Sequence, residues 1–250
     1  MNLSGNVILV TGGGSGIGAA IATRFKAMGN PVIICGRNKI KLQAAAENMG
    51  VNHIVCDVSD EQQVKAMLEQ INQIYGHLDI LVNCAGVMHT YDFFSDPDTA
   101  SRIQTEIEIN AIAPLKLTYA ALPLLQQSSH PAIVFVSSGL AYIPFFATPA
   151  YSGSKALIHH RAQALRQQFK KHGIRVFELL PPITDTPMAE GVDVKGFKKS
   201  SPEEVVDALI DGMLKEKFEI AAGASRQLRF MSRLAPGFLF KQMTQAFEGK

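Results

Sequence analysis

The sequence of 250 residues has a formal net charge of +2 at pH 7, with 47% hydrophobic and 18% charged residues. This balance is ordinary for a globular protein, so it argues against a disordered chain and gives no reason to expect nucleic acid as a partner. No basic region precedes an apolar run at the start, and no stretch has the length of a membrane-spanning helix, so we expect a cytoplasmic protein without a signal peptide or transmembrane segment.

Short apolar runs alternate with amphipathic segments along the whole chain. In chain order we predict strand 7–10, helix 16–28, strand 32–35, helix 39–49, strand 53–56, helix 60–75, strand 80–82, helices 101–113 and 114–127, strand 132–136, helix 150–171, strand 174–180, helix 202–215 and strand 218–221. Such alternation predicts an α/β fold with parallel strands joined by helical crossovers. We expect a single doubly wound (Rossmann) domain, with a parallel seven-stranded sheet in an order close to 3-2-1-4-5-6-7 and helices on both faces.

No linker or change of composition divides the chain, so this domain is predicted to span residues 1–223. Within it, residues 187–201 contain two glycines and several lysines and are expected to form a lid over the substrate. The tail, residues 224–250, mixes basic and large apolar residues. We expect the tail to pack on the domain or on a partner subunit, with a basic interfacial helix at a membrane surface as the alternative.

A glycine-rich turn with the sequence TGGGSGIG follows the first strand and opens the first helix. Glycine permits positive φ angles and the close approach of a ligand, and the N–H groups at a helix start favour an anion. This context predicts that a dinucleotide places its pyrophosphate against the turn, whereas the alternative is a plain tight turn. The predicted cofactor contacts are Gly12, Ser15, Gly16, Ile17 and Gly18.

The residues after the second strand indicate which nicotinamide nucleotide binds. A carboxylate at this position would bind a ribose 2′-hydroxyl, whereas a cation would bind a 2′-phosphate. The sequence has Arg37 and no acidic residue here, and a guanidinium suits a bidentate phosphate contact to which Ser15 can add a hydroxyl. We therefore expect NADP(H) rather than NAD, and the alternative is that Arg37 is a solvated surface residue.

Two further segments belong to the carboxyl edge of the predicted sheet, where doubly wound folds bind ligands. Asp57 and Val58 follow the third strand, and Asp57 can accept a hydrogen bond from the adenine amino group or, alternatively, cap the next helix. Asn83, Ala85 and Gly86 follow the fourth strand. Small residues there let the adenosine lie close to the sheet edge, and Asn83 can tie neighbouring strands together.

A candidate catalytic group follows from the spacing of three polar residues. Tyr151 and Lys155 stand four apart on one face of the helix 150–171, and Ser138 follows the fifth strand at the same sheet edge. A nearby ammonium is expected to lower the pKa of the phenol from about 10, so that Tyr151 can act as general acid/base while the nicotinamide transfers hydride. Ser138 can hold the substrate oxygen, and Lys155 can also bind the nicotinamide ribose.

These separated motifs together resemble the short-chain dehydrogenase/reductase family over nearly the whole chain. The glycine turn resembles the cofactor turn of the family, and residues 83–86 resemble its Asn-Asn-Ala-Gly segment with Cys84 at the second position. Ser138, Tyr151 and Lys155 match the family's triad in order and spacing. The resemblance implies a nicotinamide cofactor, a small carbonyl or alcohol substrate and a homodimer or homotetramer.

The resemblance also implies roles for three further residues. Asn110 matches the asparagine that completes the family's tetrad, whose backbone holds a water molecule linking the lysine to solvent. Pro181 and Thr186 match positions that contact the nicotinamide half of the cofactor. The family usually has a glycine after Pro181, whereas this chain has Pro182, which lacks a backbone N–H and fixes φ, so the local contact must differ.

Residues 1–6, 36–38, 181–182 and 233–238 further resemble a bacterial subgroup of the family, the DltE-like oxidoreductases. On the substrate side we expect an apolar pocket, with core packing as the alternative for its phenylalanines, formed by Met88, Tyr142, Ile143, Phe145 and Phe146. The expected function is NADP-dependent hydride transfer between the nicotinamide and a mainly apolar ketone, aldehyde or secondary alcohol. The alternative is a dinucleotide-binding sensor or scaffold protein with little turnover.

No metal site is expected from the cysteines. Cys35, Cys56 and Cys84 lack the spacing of metal ligands, and their odd number argues against a disulfide framework. We interpret them as buried thiols of a protein in a reducing compartment.

Overall fold

The computed structural model of the protein describes residues 1–192 and 198–248. Within these residues, seven strands form one sheet of order β3-β2-β1-β4-β5-β6-β7, in which every neighbouring pair is parallel. The strands are β1 (Ile8–Thr11), β2 (Val32–Gly36), β3 (Asn52–Val55), β4 (Ile80–Asn83), β5 (Ala132–Val136), β6 (Arg175–Leu180) and β7 (Glu219–Ala221). The predicted fold class and strand order are therefore confirmed.

Helices cover both faces of the sheet. They are α1 (Gly16–Ala27), α2 (Lys39–Met49), α3 (Glu61–Tyr75), α4 (Thr99–Ile107), α5 (Ala113–Leu125), α6 (Pro149–Lys170), α7 (Pro202–Leu214), α8 (Ser225–Leu234) and α9 (Pro236–Glu248). The strands are apolar on both sides because each side is buried. In β1, for example, Ile8 and Val10 join the core under α1, α2 and α7, whereas Leu9 joins the core under α3, α5 and α6.

The largest difference from the predicted elements lies before β5. The expected boundary between helices at residues 113 and 114 is absent, because the chain continues from α4 through a π-helical turn, Glu108–Ile112, into α5. Pro114 does not break this run, since it lies in the first turn of α5, directly after the π-helical turn, where its fixed φ is compatible with a helix. The third strand also begins one residue earlier than predicted and ends before Cys56.

The tail forms two helices that fold back over the carboxyl edge of the sheet. Leu228 of α8, with Leu239 and Met243 of α9, forms a buried cluster with Ile143 and Phe145. An ion pair of 2.9 Å between Arg229 Nε and Glu219 Oε1 joins α8 to β7. Contact of the tail with a second subunit or with a membrane surface stays a prediction. Among the described residues, no helix combines the length and the apolar character needed to cross a membrane.

The predicted lid, residues 187–201, is only partly within the described residues, because 193–197 lie outside them. Its first flank forms a short 3₁₀ turn, Pro187–Ala189. On its second flank, Ser200 pairs with Thr184 in an isolated parallel bridge, and Lys199 Nζ donates to the Ala189 carbonyl at 2.8 Å. The two flanks are therefore held together beside the carboxyl end of β6, and their role as a lid stays a prediction.

The packing of β6 yields a stability prediction. Phe177 is fully buried and stacks on Phe218 with ring centroids 5.2 Å apart. Phe177→Ala should lower the free energy of unfolding by about 3–5 kcal/mol, because it removes a large side chain and leaves a cavity. The matched control is Ile40→Ala, at a side chain that is 82% exposed, which should change this free energy by less than about 0.5 kcal/mol. Urea unfolding measures the free energy of unfolding of both variants. An equal decrease in the two variants would contradict the assignment of Phe177 to the core.

Candidate active site

The glycine turn is shaped by close contacts that exclude side chains. Gly12 has φ +66° and Gly16 has φ +53°, in the region that favours glycine. A Cβ on Gly12 would stand 2.8 Å from Ala85 Cα, and a Cβ on Gly18 would stand 2.3 Å from the Gly12 carbonyl oxygen. The turn therefore packs directly against the end of β4. Because the hydroxyl of Ser15, at the N-cap position, makes no capping hydrogen bond, the start of α1 is suited to bind an anion.

Thr11, which we did not predict as a site residue, ties β1 to the segment after β4. Its hydroxyl oxygen accepts hydrogen bonds from the N–H groups of Cys84 and Ala85, both at 3.0 Å, and donates to the Val82 carbonyl at 3.3 Å. The side chain expected to tie the strands, Asn83, instead donates from Nδ2 to Thr118 Oγ1 on α5 at 3.2 Å. The sequence feature that could have identified Thr11 is a threonine at the end of an apolar strand, directly before the glycine turn.

Most of the predicted site residues line one cleft of about 290 Å³ at the carboxyl ends of the strands. Those in its wall are Gly12, Ser15, Gly16, Ile17, Gly18, Ala85, Gly86, Ser138, Tyr151, Lys155, Pro181 and Thr186. Pro182 also lines this cleft. The parallel sheet explains this convergence, because the loops after β1, β4, β5 and β6 all leave from the same edge.

Five predicted site residues do not line this cleft: Arg37, Asp57, Val58, Asn83 and Asn110. Val58 and Asn83 line a smaller pocket that shares Ala85 with the cleft wall. Arg37 and Asp57 lie beyond the ends of β2 and β3, where Arg37 Nη1 is 3.9 Å from Asp57 Oδ2 and the arginine side chain is 57% exposed. The structure thus places Arg37 and Asp57 at a polar, open edge outside the cleft.

The alternative role for Asp57, as the cap of the next helix, is wrong. The carboxylate that caps α3 belongs to Asp60, whose Oδ1 accepts from the N–H groups of Gln62 and Gln63 at 2.9 and 3.1 Å. Asp57 instead accepts hydrogen bonds from the N–H and hydroxyl of Ser59 at 3.0 and 2.7 Å. These contacts use Oδ1 of Asp57 and order the turn between β3 and α3. The other oxygen, Oδ2, faces Arg37.

Tyr151, Ser138 and Lys155 meet inside the cleft, as their spacing predicts. The Lys155 ammonium donates to the Val136 carbonyl at 3.0 Å and lies 5.5 Å from the centroid of the Tyr151 ring. Ser138 Oγ accepts from the N–H of Leu140 at 3.1 Å, so its hydroxyl proton can be donated to another group. The three side chains are buried, which removes most competing water from them.

Burial dominates the electrostatics of this group. Burial raises the pKa of Tyr151 to about 12, and a hydrogen bond with Ser138 opposes the rise. Burial also lowers the pKa of Lys155 to about 8. The expectation that the pKa of the phenol lies below its ordinary value is therefore wrong in this structure, because desolvation of the phenolate is the largest influence on it. At neutral pH, Tyr151 holds its proton.

Asn110 lies below the cleft, in the π-helical turn between α4 and α5. Its Oδ1 accepts from the N–H of Val87, and its Nδ2 donates to the carbonyl of Val87, both at 2.8 Å. Nδ2 also lies 3.2 Å from Ser154 Oγ on α6. Asn110 therefore joins the loop after β4 to the helix that carries Tyr151, while the water-holding role of its backbone stays a prediction.

The substrate side of the cleft is apolar, but its composition differs from the expectation. Of the expected residues, Met88 and Phe145 line the cleft. Tyr142 instead donates its hydroxyl proton to Glu219 Oε1 at 2.7 Å, Ile143 packs in the tail cluster, and Phe146 is 40% exposed. Met188 and Val192, from the predicted lid, also line the cleft, and further apolar walls that sequence reasoning missed come from Leu140, Leu228 and Met243. Residues 228 and 243 lie in the tail, and no local pattern shows where a tail folds back.

Within residues 1–192 and 198–248, no group of three or more histidine, cysteine, aspartate or glutamate side chains is arranged to hold a metal ion. The three cysteines are free thiols, and burial raises the pKa of Cys56 and of Cys84 to about 11, so these thiols stay protonated at neutral pH. Among the described residues, the ionisable side chains that line the cleft are those of Cys84, Tyr151 and Lys155.

Known proteins share this geometry and sequence. Residues 6–195 match the short chain dehydrogenase family. The uncharacterized oxidoreductase DltE of Bacillus subtilis (strain 168) is 36% identical over 247 residues, which are 97% of this chain and 98% of that protein. The crystal structure of a short chain dehydrogenase of Burkholderia cenocepacia J2315 in complex with NADP superimposes on this structure with a TM-score of 0.84. The match has 25% sequence identity and covers 97% of this chain and 99% of that chain.

A second solved structure shares the fold alone. The short chain dehydrogenase/reductase of Burkholderia phymatum in complex with NAD has a TM-score of 0.85 at 18% identity, covering 97% of this chain and 96% of that chain. Because the two solved structures hold different nucleotides, the fold does not decide between NADP and NAD, and the residues at the open edge must be considered.

The packing of the glycine turn yields a binding prediction. Gly18→Ala should weaken NADPH binding at least about tenfold, equivalent to about 1.4 kcal/mol, because the new Cβ displaces the Gly12 carbonyl and with it the turn. The matched control is Gly14→Ala in the same turn, whose Cβ would meet Leu42 Cδ1 at an ordinary 3.5 Å. Fluorescence titration with NADPH measures both variants, with circular dichroism to check folding. Equal affinities for the two folded variants would contradict this account.

Proposed function

The chain belongs to the short chain dehydrogenase family and is an NAD(P)-dependent oxidoreductase. On that premise, we propose that it uses NADP to reduce an apolar carbonyl compound or to oxidise the corresponding secondary alcohol. In this proposal Tyr151 is the general acid/base. The observation that carries the proposal is the meeting of Tyr151, Ser138 and Lys155 with the glycine turn in one buried cleft. Each group has a chemical task that suits this arrangement.

The residues present fit a dinucleotide. The turn is packed so closely that a Cβ at Gly12 or Gly18 would overlap neighbouring backbone, which leaves backbone N–H groups at the start of α1 to receive a pyrophosphate. Small residues at 85 and 86 extend the same surface beside β4. When bound, a nicotinamide supplies or accepts the hydride.

The chain's own residues would handle the proton and the substrate oxygen. The Ser138 hydroxyl can donate a hydrogen bond to this oxygen and hold it beside Tyr151. Because burial raises the pKa of Tyr151 to about 12, its hydroxyl is protonated at neutral pH and can give a proton to the oxygen of a carbonyl during reduction. Lys155, held at the Val136 carbonyl, places its ammonium beside the phenol, where it stabilises the phenolate that proton donation leaves.

The cleft walls support an uncharged and mainly apolar substrate. Met88, Leu140, Phe145, Leu228 and Met243 form apolar walls, and among the described lining residues the cationic side chain is that of Lys155. A carboxylate or phosphate substrate would need further cations to offset its desolvation. The residues therefore favour a ketone, an aldehyde or a secondary alcohol with apolar substituents.

NADP rather than NAD is supported by Arg37 at the open edge beyond β2. Its guanidinium is exposed and only loosely paired with Asp57, so it can turn toward a 2′-phosphate. The NADP in the Burkholderia cenocepacia structure, which has 25% identity to this chain, supports the same choice. The homodimer or homotetramer and the cytoplasmic location expected from the sequence stay predictions.

Substitution of Tyr151 tests the proposed chemistry. In Tyr151→Phe, kcat for reduction of ketones and aldehydes should fall about 10²–10⁴-fold, because the proton donor is lost. Affinity for NADPH should stay within about threefold of the wild type, because the ring remains. The loss of NADPH absorbance across a panel of apolar carbonyl compounds measures turnover. Tight NADPH binding by the wild type without turnover of any compound would instead support the sensor alternative.

Charge reversal at the open edge tests the cofactor preference. Arg37→Glu should raise KM for NADPH about 10–100-fold, because a charge-assisted phosphate contact of about 1.5–3 kcal/mol is lost. KM for NADH should change by less than about threefold, since NADH has no 2′-phosphate. The control is Lys65→Glu on α3, the same change of charge at an exposed site. An equal rise of KM for both nucleotides would remove the NADP assignment.

A further inference from the structure

A buried carboxylate outside the cleft contacts two of the segments that build it. Glu106 lies on α4, and its side chain is 0% exposed. Its Oε1 accepts a hydrogen bond of 2.6 Å from the backbone N–H of His89, in the loop after β4, and lies 3.3 Å from His89 Nδ1. Its Oε2 has no hydrogen-bond partner among the described residues. A carboxylate buried with so few partners is costly, so its presence requires a reason.

The start of helix α6 supplies the second contact. Thr148 at its N-cap makes no capping hydrogen bond, and Pro149 has no N–H. The next N–H, of Ala150, donates to the hydroxyl of Tyr91 at 3.3 Å. The following N–H, of Tyr151 itself, acts on Glu106 and lowers its pKa, although the pair does not meet standard hydrogen-bond geometry. Side chains from other segments thus take the place of the missing cap, at the positive end of the helix that carries the catalytic tyrosine.

We propose that Glu106 is a positioning residue for the reaction: its buried carboxylate joins the loop at His89 to the first turn of α6 and so fixes the Tyr151 phenol in the cleft. The activity readout of this inference rests on the proposed function. Glu106 does not line the cleft, so it acts through Tyr151 and the loop and not by contact with substrate. Sequence reasoning did not select it, because Glu106 belongs to no motif.

The charges around Glu106 determine the sign of its effect. The titratable groups that interact with it are His89 and Tyr91 from the loop and Tyr151 from α6. Burial raises the pKa of Glu106, and His89 and the Tyr151 N–H act in the opposite direction. Burial is the main cause of the raised pKa of Tyr91 and of Tyr151, and the negative charge of Glu106 adds to the rise in both. Removing that charge must therefore make the Tyr151 phenol easier to ionise.

The test replaces Glu106 by its neutral isostere and follows Tyr151 directly. Protein labelled with ¹³C at tyrosine Cζ is titrated by NMR, and the Tyr151 signal is assigned by its loss in Tyr151→Phe. In Glu106→Gln, the midpoint of Tyr151 should move to lower pH than in the wild type. The alkaline limb of the pH profile of kcat should move in the same direction, while KM for NADPH stays within about twofold.

Two variants separate charge from position. The matched control is Glu108→Gln, two residues further along, whose half-exposed carboxylate faces Lys116 and whose loss should leave the Tyr151 midpoint unchanged. Glu106→Asp keeps the charge but shortens the side chain, so the Tyr151 midpoint should stay near that of the wild type while kcat falls at least about fivefold. If Glu106→Gln does not fold, Glu106→Asp alone decides, and an unchanged kcat in it would overturn the proposal.

An unshifted Tyr151 midpoint in folded Glu106→Gln, or an equal shift in Glu108→Gln, would also overturn the proposal. The NMR titration needs neither substrate nor turnover. If the wild type reduced no carbonyl compound, the proposed function would fail, and the titration would still show whether Glu106 acts on Tyr151.

Discussion

The candidate site depends on the close approach of the glycine turn to the segment after β4. Gly12 packs on Ala85 so tightly that no side chain fits between them, and the Thr11 hydroxyl holds Cys84 and Ala85 by their N–H groups. Both contacts join strands that are neighbours in the sheet although their residues are distant in sequence. A parallel sheet brings the two loops to one edge, and the short side chains then let them form one continuous floor of the cleft.

Burial both assembles and constrains the candidate catalytic group. It brings a phenol, a hydroxyl and an ammonium together away from water, and it moves the pKa of the phenol up and that of the ammonium down. Both shifts reduce the charge in the cleft, which is what desolvation demands. A tyrosine that holds its proton at neutral pH suits the donor role in carbonyl reduction, so the environment that disfavours the phenolate favours one direction of proton transfer.

The sequence predicted what periodic patterns and local motifs carry, namely the seven parallel strands, their order and the convergence of the glycine turn with Ser138, Tyr151 and Lys155. It did not predict features set by contacts between distant segments. Thr11 acts through a loop more than seventy residues away, and the tail reaches the cleft only because α8 and α9 fold back over it. The direction of the Tyr151 pKa shift was also missed, since spacing reveals the neighbouring lysine but not the depth of burial.

A second buried carboxylate shows how the fold offsets the cost of burying Lys155. Glu178, in the middle of β6, is fully buried, and its Oε2 lies 2.9 Å from His159 Nδ1, one helical turn beyond Lys155 on α6. The negative charge of Glu178 raises the pKa of Lys155 and so opposes part of the lowering that burial causes. The hydrogen bond to Glu178 likewise raises the pKa of His159.

The direction of the His159 pKa shift determines the pH range in which the His159–Glu178 pair stabilises the fold. Because the pKa of His159 is higher in the folded state, the pair contributes its full stabilisation below the unfolded value of about 6.5 and loses it as the pH rises through the folded value. Above that range, the neutral imidazole still donates from Nδ1 to the Glu178 carboxylate, and its Nε2 accepts from Gln163 Nε2 at 3.0 Å.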